Sequence, residues 1–141
     1  MNLSIKVQIS KILEMNLFID DRSLNLHQII TETKRFVRSE GVEMVAIDYL
    51  QFIAEPKRRG ESTNEMIGRM TKGLKQCAKA LEIPILLLSQ LSRDVDRRTG
   101  NNRPIMADLR DSGNIEQDAD IVLFVYRESV YKKDVDPSAA E

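Results

Sequence analysis

The sequence predicts one α/β domain in which helices cover the faces of a parallel β-sheet. Strand-like and helix-like segments alternate from about residue 15 to residue 126, which is the order of such a fold. The apolar runs at 42–50, 84–88 and 120–126 lack a clean alternation of apolar and polar residues, as is typical of strands covered on both faces. The length of 141 residues and the hydrophobic fraction of 42% fit one domain with an ordinary core.

The first half of the chain supplies strand and helix signals in turn. Residues 15–19 form a short apolar run closed by two aspartates, which predicts a strand and a turn. Asn25 can cap a helix with Gln28 three residues later, and Gly41 can end that helix in the left-handed conformation. Residues 42–50 then predict a buried strand.

The second helix and strand follow a loop that contains a basic triplet. Residues 55–61 hold a proline, a glycine and three consecutive basic side chains, which is typical of a loop. Ser62 and Glu65 form a capping-box pattern, and an apolar stripe at helical spacing continues to Leu81. Residues 84–88 predict the next buried strand.

The last third of the chain is polar and rich in arginine before it becomes apolar again. Residues 91–119 predict a long loop with short helical pieces near 106–109 and 114–117. Residues 120–126 predict a third buried strand. We take residues 1–141 as one domain and expect about 1–14 and 128–141 to be ambiguous or poorly ordered.

Composition excludes several classes of protein. The formal net charge of −1 argues against a protein that coats nucleic acid broadly, although a local basic loop can still contact it. One cysteine, Cys77, and one histidine, His27, leave no disulfide framework and argue against a zinc site. No apolar run approaches the roughly 18 residues of a membrane-spanning helix. Because no secretory signal is found either, we expect a cytoplasmic protein without membrane contact.

Two polar residues follow neighbouring predicted strands. Asp48 lies at the exit of the run 42–50, and Gln90 follows the run 84–88. Ligands of parallel sheets bind at the carboxyl ends of the strands, where a carboxylate can hold magnesium and an amide can contact a terminal phosphate. The alternatives are that Asp48 only forms a turn and that Gln90 only forms hydrogen bonds with the backbone of its loop.

A near-match to a phosphate-binding loop is rejected. Residues 68–75 read GRMTKGLK, in which leucine stands where the motif needs lysine and lysine stands where it needs serine or threonine. The stretch also lies inside the predicted amphipathic helix, and no other glycine pair fits.

The arginine-rich segment 92–113 is a candidate for contact with a nucleic-acid backbone. Arginine presents a planar fork to phosphate oxygens, and glycine allows close approach of the main chain. No aromatic side chain occurs between Phe52 and Phe124, so base stacking is unavailable in this loop. We therefore expect salt-dependent binding with weak sequence preference. A solvated surface loop is the alternative.

Three ordered blocks of sequence resemble one family. They are VAIDYLQ at residues 45–51, LSQLSR at 88–93 and DLRDSGNIEQDAD at 108–120, with a weaker match in LFIDD at 17–21. Together they resemble the motor domain of the DnaB-like replicative DNA helicases of bacteria and phages. The resemblance extends over roughly residues 15–131.

The resemblance implies a RecA-like P-loop NTPase core from a hexameric ring that hydrolyses ATP and moves along single-stranded DNA. In that interpretation Asp48 organises Mg²⁺ and Gln90 contacts the terminal phosphate. It also implies homo-oligomerisation and partners such as a primase or a helicase loader.

The resemblance assigns a further group of residues to DNA. Arg110, Asp111 and Gly113 would lie on the loop that follows the DNA backbone, and Arg97 and Arg98 would lie in the same region. The family usually has glutamate where this chain has Asp111, so the shorter side chain shifts the reach of that carboxylate.

The family's phosphate loop, its water-activating glutamate and its intersubunit lysine and arginine lie outside the matched region. We therefore expect an incomplete RecA-like core that does not hydrolyse ATP alone. A strand from the centre of the family's sheet is also outside it, so either neighbouring strands close up, another segment fills the gap, or the chain pairs with another molecule. The alternatives are a RecA/RadA-type recombinase core, a non-catalytic truncated subunit that joins a full-length ring, and a plain α/β domain.

Overall fold

The computed structural model describes residues 15–98 and 102–131. The first helix, α1, spans Leu26–Glu40. The backbone N–H of Gln28 donates to the Asn25 side chain, and the N–H of Asn25 donates to the Gln28 side chain, both at 2.9 Å. Gly41 ends the helix at φ 66°, where a side chain would be strained. The predicted capping pair and glycine stop are confirmed.

Two short parallel strands form the sheet. β1 spans Val45–Ile47 and β2 spans Ile85–Leu87, with Val45 opposite Ile85 and Ile47 opposite Leu87. A single 3₁₀ turn, Leu50–Phe52, follows β1. Both strands lie inside predicted apolar runs, and each is shorter than its run.

The second helix, α2, spans Thr63–Leu81 and begins with the predicted Ser62–Glu65 capping box. Residues 68–75 therefore lie within a continuous helix, and the prediction of a helix in place of a phosphate-binding loop is confirmed. The chain continues with four short elements: α3 at Asp94–Arg97, a 3₁₀ segment at Met106–Ser112, α4 at Gly113–Asp118 and a 3₁₀ turn at Glu128–Val130. The helical pieces expected near 106–109 and 114–117 are present.

The hydrophobic core lies between the helices and one face of the sheet. Its buried members are Leu26, Leu50, Ile67, Met70 and Leu74. Ile47 of β1 and Leu87 of β2 pack against this cluster from the sheet. The helices α1 and α2 therefore contribute to a core that covers one sheet face, and the parallel α/β class is confirmed.

Two predicted strands are wrong within the described residues. Residues 120–126 run without strand pairing, and Ile121, Leu123 and Val125 are 78%, 79% and 81% exposed. Residues 15–19 are also irregular and exposed, although the Phe18 ring lies 5.2 Å from that of Phe36. A strand exists only with a hydrogen-bonded neighbour, and neither segment has one among the described residues.

The predictions for residues 1–14 and 132–141 lie outside the described residues. Across 15–98 and 102–131, no helix has the length and apolar character needed to cross a membrane.

Candidate nucleotide and nucleic-acid site

Asp48 and Gln90 lie at the same edge of the sheet. Asp48 directly follows β1, and Gln90 is the third residue after the end of β2. Because Ile47 is paired with Leu87 in a parallel register, both chains leave the sheet in the same direction. Both side chains belong to exposed residues. The structure therefore brings the two predicted residues to the carboxyl edge, where ligands of parallel sheets bind.

Gln51 links the two strand exits. Its side-chain oxygen accepts the backbone N–H of Gln90 at 3.3 Å, and its Nε2 donates to Ser89 Oγ at 3.1 Å. The backbone N–H of Leu50 also donates to Leu88 O at 2.9 Å. These contacts fix the loop after β1 against the loop after β2. Gln51 belongs to the VAIDYLQ block, but no role is predicted for it because a long-range amide bridge has no local sequence signature.

The Asp48 carboxylate is available as a ligand. In the described part of the chain it has no ion pair and accepts no hydrogen bond. The described residues also contain no group of three or more histidine, cysteine, aspartate or glutamate side chains that could hold a metal ion. A single exposed carboxylate fits Mg²⁺ bound to a nucleotide, because such an ion takes one or two protein carboxylates and fills its other positions with water and phosphate oxygens.

The arginine-rich loop is organised around a buried carboxylate. Asp108 is 5% exposed, accepts the Ile105 backbone N–H at 2.8 Å and forms an ion pair with Arg98. Its backbone oxygen accepts the N–H of Ser92 at 3.0 Å. Ser92 lies only two residues beyond Gln90, so one hydrogen bond connects the exit of β2 to the loop.

The predicted DNA-contacting residues differ in how they are placed. Arg97, at the end of α3, is exposed, whereas Arg98 is held by Asp108 and also donates to Arg103 O at 3.1 Å. No local pattern in the sequence indicates this internal partner of Arg98.

Residues 110–113 follow the buried carboxylate in the chain. Arg110 and Asp111 lie within the 3₁₀ segment, and Gly113 is the first residue of α4. Arg110 is two residues from Asp108 and therefore close along the chain to the hydrogen bond that joins the loop to β2.

The helix α4 anchors the far end of the loop on α2. Thr71 Oγ1 donates to Asp118 Oδ2 at 2.6 Å, and Asn114 Nδ2 donates to Asn64 O at 3.0 Å. A Cβ atom on Gly68 would lie 2.5 Å from Asn114 Nδ2, so this close approach requires glycine. The loop is consequently fixed at both ends, at β2 and at α2.

A cleft of about 460 Å³ separates the exit of β2 from the end of the extended segment 121–126. Gln90 and Val125 both line the cleft, whereas Asp48 is not among its lining residues. The rings of Tyr126 and Tyr131 stack at 5.8 Å beside it, and Tyr131 Oη donates to Asp96 Oδ1 at 2.9 Å. These contacts hold the turn at 127–131 against α3.

The basic loop after β1 is held by a second ion cluster. Arg69 of α2 pairs with Glu55 and Glu61 and donates to Pro56 O at 3.1 Å. The Arg69 side chain, followed by the backbone N–H of Arg58, lowers the pKa of Glu61 to about 2. The contacts of Arg69 with Glu55, Glu61 and Pro56 thus fix the loop at 55–61 on α2.

This combination defines a class: a parallel α/β domain with polar residues at the ends of two neighbouring strands, beside an arginine-bearing loop. The family of the DnaB-like helicase C terminal domain matches residues 2–141, and the chain belongs to that family. The recombinase alternative is not favoured.

Relatives and solved structures agree with that assignment. The chain is 43% identical over 119 residues to the replicative DNA helicase DnaB of Geobacillus stearothermophilus, covering 84% of this chain and 26% of that protein. One solved ATPase domain matches with a TM-score of 0.83 and 34% identity, over 94% of this chain and 47% of that chain. A DnaB-like replicative helicase solved with its interactions with primase matches with a TM-score of 0.81 and 34% identity, over 94% and 32%. The chain spans about a quarter of the length of the curated relatives it matches.

Proposed function

We propose that this chain is the part of a replicative helicase motor in which the nucleotide-facing strand ends meet the DNA-facing loop. The shared edge occupied by Asp48 and Gln90, fixed by the Gln51 bridge, carries the proposal. The relatives are named as replicative DNA helicases, and the family resemblance adds ATP-driven movement on single-stranded DNA as the reaction class.

In the proposed mechanism Asp48 supplies one oxygen ligand to a nucleotide-bound Mg²⁺. Asp48 would hold the ion there, and the chemistry that a bound Mg²⁺ would supply is neutralisation of the negative charge of the phosphates. The Gln90 side-chain amide lies at the next strand end, where it donates to or accepts from groups at the terminal phosphate. The residues that would cradle the phosphates are not identified in the described part of the chain, because the one glycine-lysine stretch is helical.

A short path connects the phosphate side to the DNA side. We expect a shift of Gln90 to be passed to Ser92, whose backbone N–H donates to Asp108 O. Asp108 precedes Arg110 by two residues. Arg110, Asp111 and Gly113 would then follow the DNA backbone, with Arg97 as an additional exposed cation. Because these are contacts to phosphates, binding should depend on salt and little on sequence.

The assembly and its partners belong to the same proposal. A solved relative described with its interactions with primase supports a primase partner for the whole protein, and the family resemblance supports a hexameric ring and a helicase loader. The same resemblance supports a cytoplasmic setting.

DNA binding is tested with fluorescein-labelled oligo(dT) and the purified chain by fluorescence anisotropy over a salt series. Arg110→Ala should weaken binding several-fold and lower the salt slope by about one unit, because one phosphate contact is lost. Arg38→Ala, which removes an exposed arginine from the last turn of α1, is the matched control. Equal affinity for the two variants would contradict the assignment of the loop.

Hydrolysis is tested by phosphate release from ATP with the purified chain. We expect none above background, because no lysine and amide cradle for the phosphates is present among the described residues. Hydrolysis that Asp48→Asn abolishes would refute this expectation.

A further inference from the structure

The hydroxyl of Tyr131 holds a carboxylate of the arginine-rich loop. Tyr131 directly follows the 3₁₀ turn Glu128–Val130, and its Oη donates to Asp96 Oδ1 of α3 at 2.9 Å. The hydrogen bond to Asp96, followed by burial, raises the pKa of Tyr131 above its ordinary value. The hydroxyl is therefore a donor throughout the neutral pH range. Because its acceptor is charged, this bond is stronger than one between neutral groups.

The Tyr131 ring is fixed on a buried neighbour. It stacks on the Tyr126 ring at 5.8 Å with 6° between the ring planes, and Tyr126 is 9% exposed. The guanidinium of Arg103 lies over the Tyr126 ring, 4.8 Å from its centre. The backbone N–H of Tyr131 also donates to Glu128 O at 2.9 Å, which closes the turn. The stacked pair and the turn thus set the position of the hydroxyl that Asp96 accepts.

Arg93 is the cation best placed to compete with Tyr131 for Asp96. It immediately precedes α3 and has helical backbone angles, φ −63° and ψ −10°. It also lies three residues before Asp96, a spacing at which the side chains of a helix are neighbours. Arg93, Asp96 and Tyr131 line the same cleft of about 460 Å³. If Tyr131 released Asp96, Arg93 could therefore pair with it.

The hydrogen bond from Tyr131 leaves Arg93 without an internal partner. Among the described residues, the Arg93 side chain forms neither an ion pair nor a hydrogen bond, and Asp96 has no cationic partner. Arg98 of the same loop is different, because it is paired with Asp108. An exposed arginine without such a partner keeps its planar fork for phosphate oxygens.

We propose that Tyr131 is a positioning residue for nucleic-acid binding: by holding Asp96, it leaves Arg93 available to a phosphate of single-stranded DNA. Without the hydroxyl, Asp96 pairs with Arg93, and one cation is withdrawn from the DNA-facing surface. Arg93 is thereby added to the phosphate-contacting residues of the loop. The inference rests on the proposed DNA-binding role of that loop and identifies the residue that controls one of its contacts.

The test measures binding of the full 141-residue chain to fluorescein-labelled oligo(dT) by anisotropy over a salt series. Tyr131→Phe keeps the stacked ring and loses only the hydroxyl. We expect about threefold weaker binding at about 0.1 M salt and a salt slope lower by up to about one unit, because one phosphate contact is lost. Tyr126→Phe is the matched control. It removes a hydroxyl that has no hydrogen bond to α3 among the described residues, so affinity and slope should not change.

A second substitution separates positioning from a merely structural role. Asp96→Asn in the Tyr131→Phe background removes the charge that captures Arg93, so it should restore both affinity and salt slope. Asp94→Asn in the same background removes an equal charge from α3 at a residue not bonded to Tyr131, and it should not restore the slope. Arg93→Ala should weaken binding as Tyr131→Phe does. The two changes combined should weaken it no further, because they remove the same contact.

Several results would overturn the inference. Unchanged binding by Tyr131→Phe would do so directly. Equal restoration by Asp96→Asn and Asp94→Asn would show a general effect of charge, and restoration by neither would show a purely structural role for the hydroxyl. Additive effects of Arg93→Ala and Tyr131→Phe would show two separate contacts. Weaker binding by Arg110→Ala beside unchanged binding by Tyr131→Phe would reject this inference alone, whereas no binding by the unmodified chain would reject the proposed DNA-binding role as well.

Discussion

Removal of the Asp108 carboxylate should loosen the arginine-rich loop without unfolding the chain. The carboxylate accepts the Ile105 N–H at 2.8 Å and pairs with Arg98, whose side chain is 31% exposed. A hydrogen bond to a charged group contributes about 1.5–3 kcal/mol, and solvent at Arg98 reduces the ionic part. We therefore expect Asp108→Ala to lower the local opening free energy of the loop by about 2–4 kcal/mol. Asp108→Asn keeps an acceptor for Ile105 and should lower it by about half as much.

Native-state hydrogen exchange measures this effect directly. The reporter amides are those of Ser92, Ile105 and Asp108, each of which forms a hydrogen bond within the loop. A change of about 1.4 kcal/mol is a factor of ten, so Asp108→Ala should accelerate their exchange by about 30-fold or more. Asp94→Ala, at an exposed acidic residue of the same loop, is the control and should change exchange little. Equal exchange in the two variants, or acceleration spread over α1 and α2, would refute the loop-specific role of Asp108.

Two further predictions concern the surroundings of α2. The pKa of Glu61 is lowered from 4.5 to about 2 by Arg69, so its contribution to stability is complete above pH 4.5 and is lost as the pH falls towards 2. In urea unfolding over a pH series, the free energy of unfolding of Glu61→Gln should therefore fall less steeply at acid pH than that of the unmodified chain. An unchanged pH dependence would contradict the role of the Glu61–Arg69 ion pair. Gly68→Ala gains about 1 kcal/mol of helix propensity but displaces Asn114, whose hydrogen bond contributes a similar amount, so the net change should be near zero. In an Asn114→Ala background the same change should stabilise by up to about 1 kcal/mol, and an identical effect in both backgrounds would argue against the contact.

The elements with local signals were the ones that could be predicted from sequence. Asn25 with Gln28, and Ser62 with Glu65, satisfy the first backbone N–H groups of the helices within three residues. Gly41 ends α1 because the left-handed conformation needs no distant partner. Helix boundaries of this kind depend on residues that are close in the sequence, and both helices begin where the sequence indicates.

Strand formation could not be predicted from local sequence patterns alone. Residues 42–50, 84–88 and 120–126 have similar apolar content, yet only the first two contain paired residues. Pairing depends on which backbone lies alongside, and no periodicity within one segment carries that information. Apolar content therefore predicted where strands are possible, and the tertiary neighbours determined which of them form.

Some features of the candidate site could be predicted from the sequence and others could not. The positions of Asp48 and Gln90 follow from the rule that parallel strands end at one edge, so their shared location was predictable. The Gln51 bridge and the Arg98–Asp108 pair join residues that are 39 and 10 positions apart. Contacts of that kind arise from loop geometry, which the sequence pattern does not specify.

In the proposed function, Asp48 and Gln90 face one metal-bound triphosphate. Its most direct test is paramagnetic broadening by Mn²⁺–ATP in the ¹⁵N-labelled chain, read at side-chain amide resonances. The Gln90 side-chain amide should broaden more strongly than that of Gln28, which lies in the first turn of α1. Asp48→Asn should remove that difference. Equal broadening of the two glutamines, or selective broadening of Gln90 that persists in Asp48→Asn, would contradict the shared site.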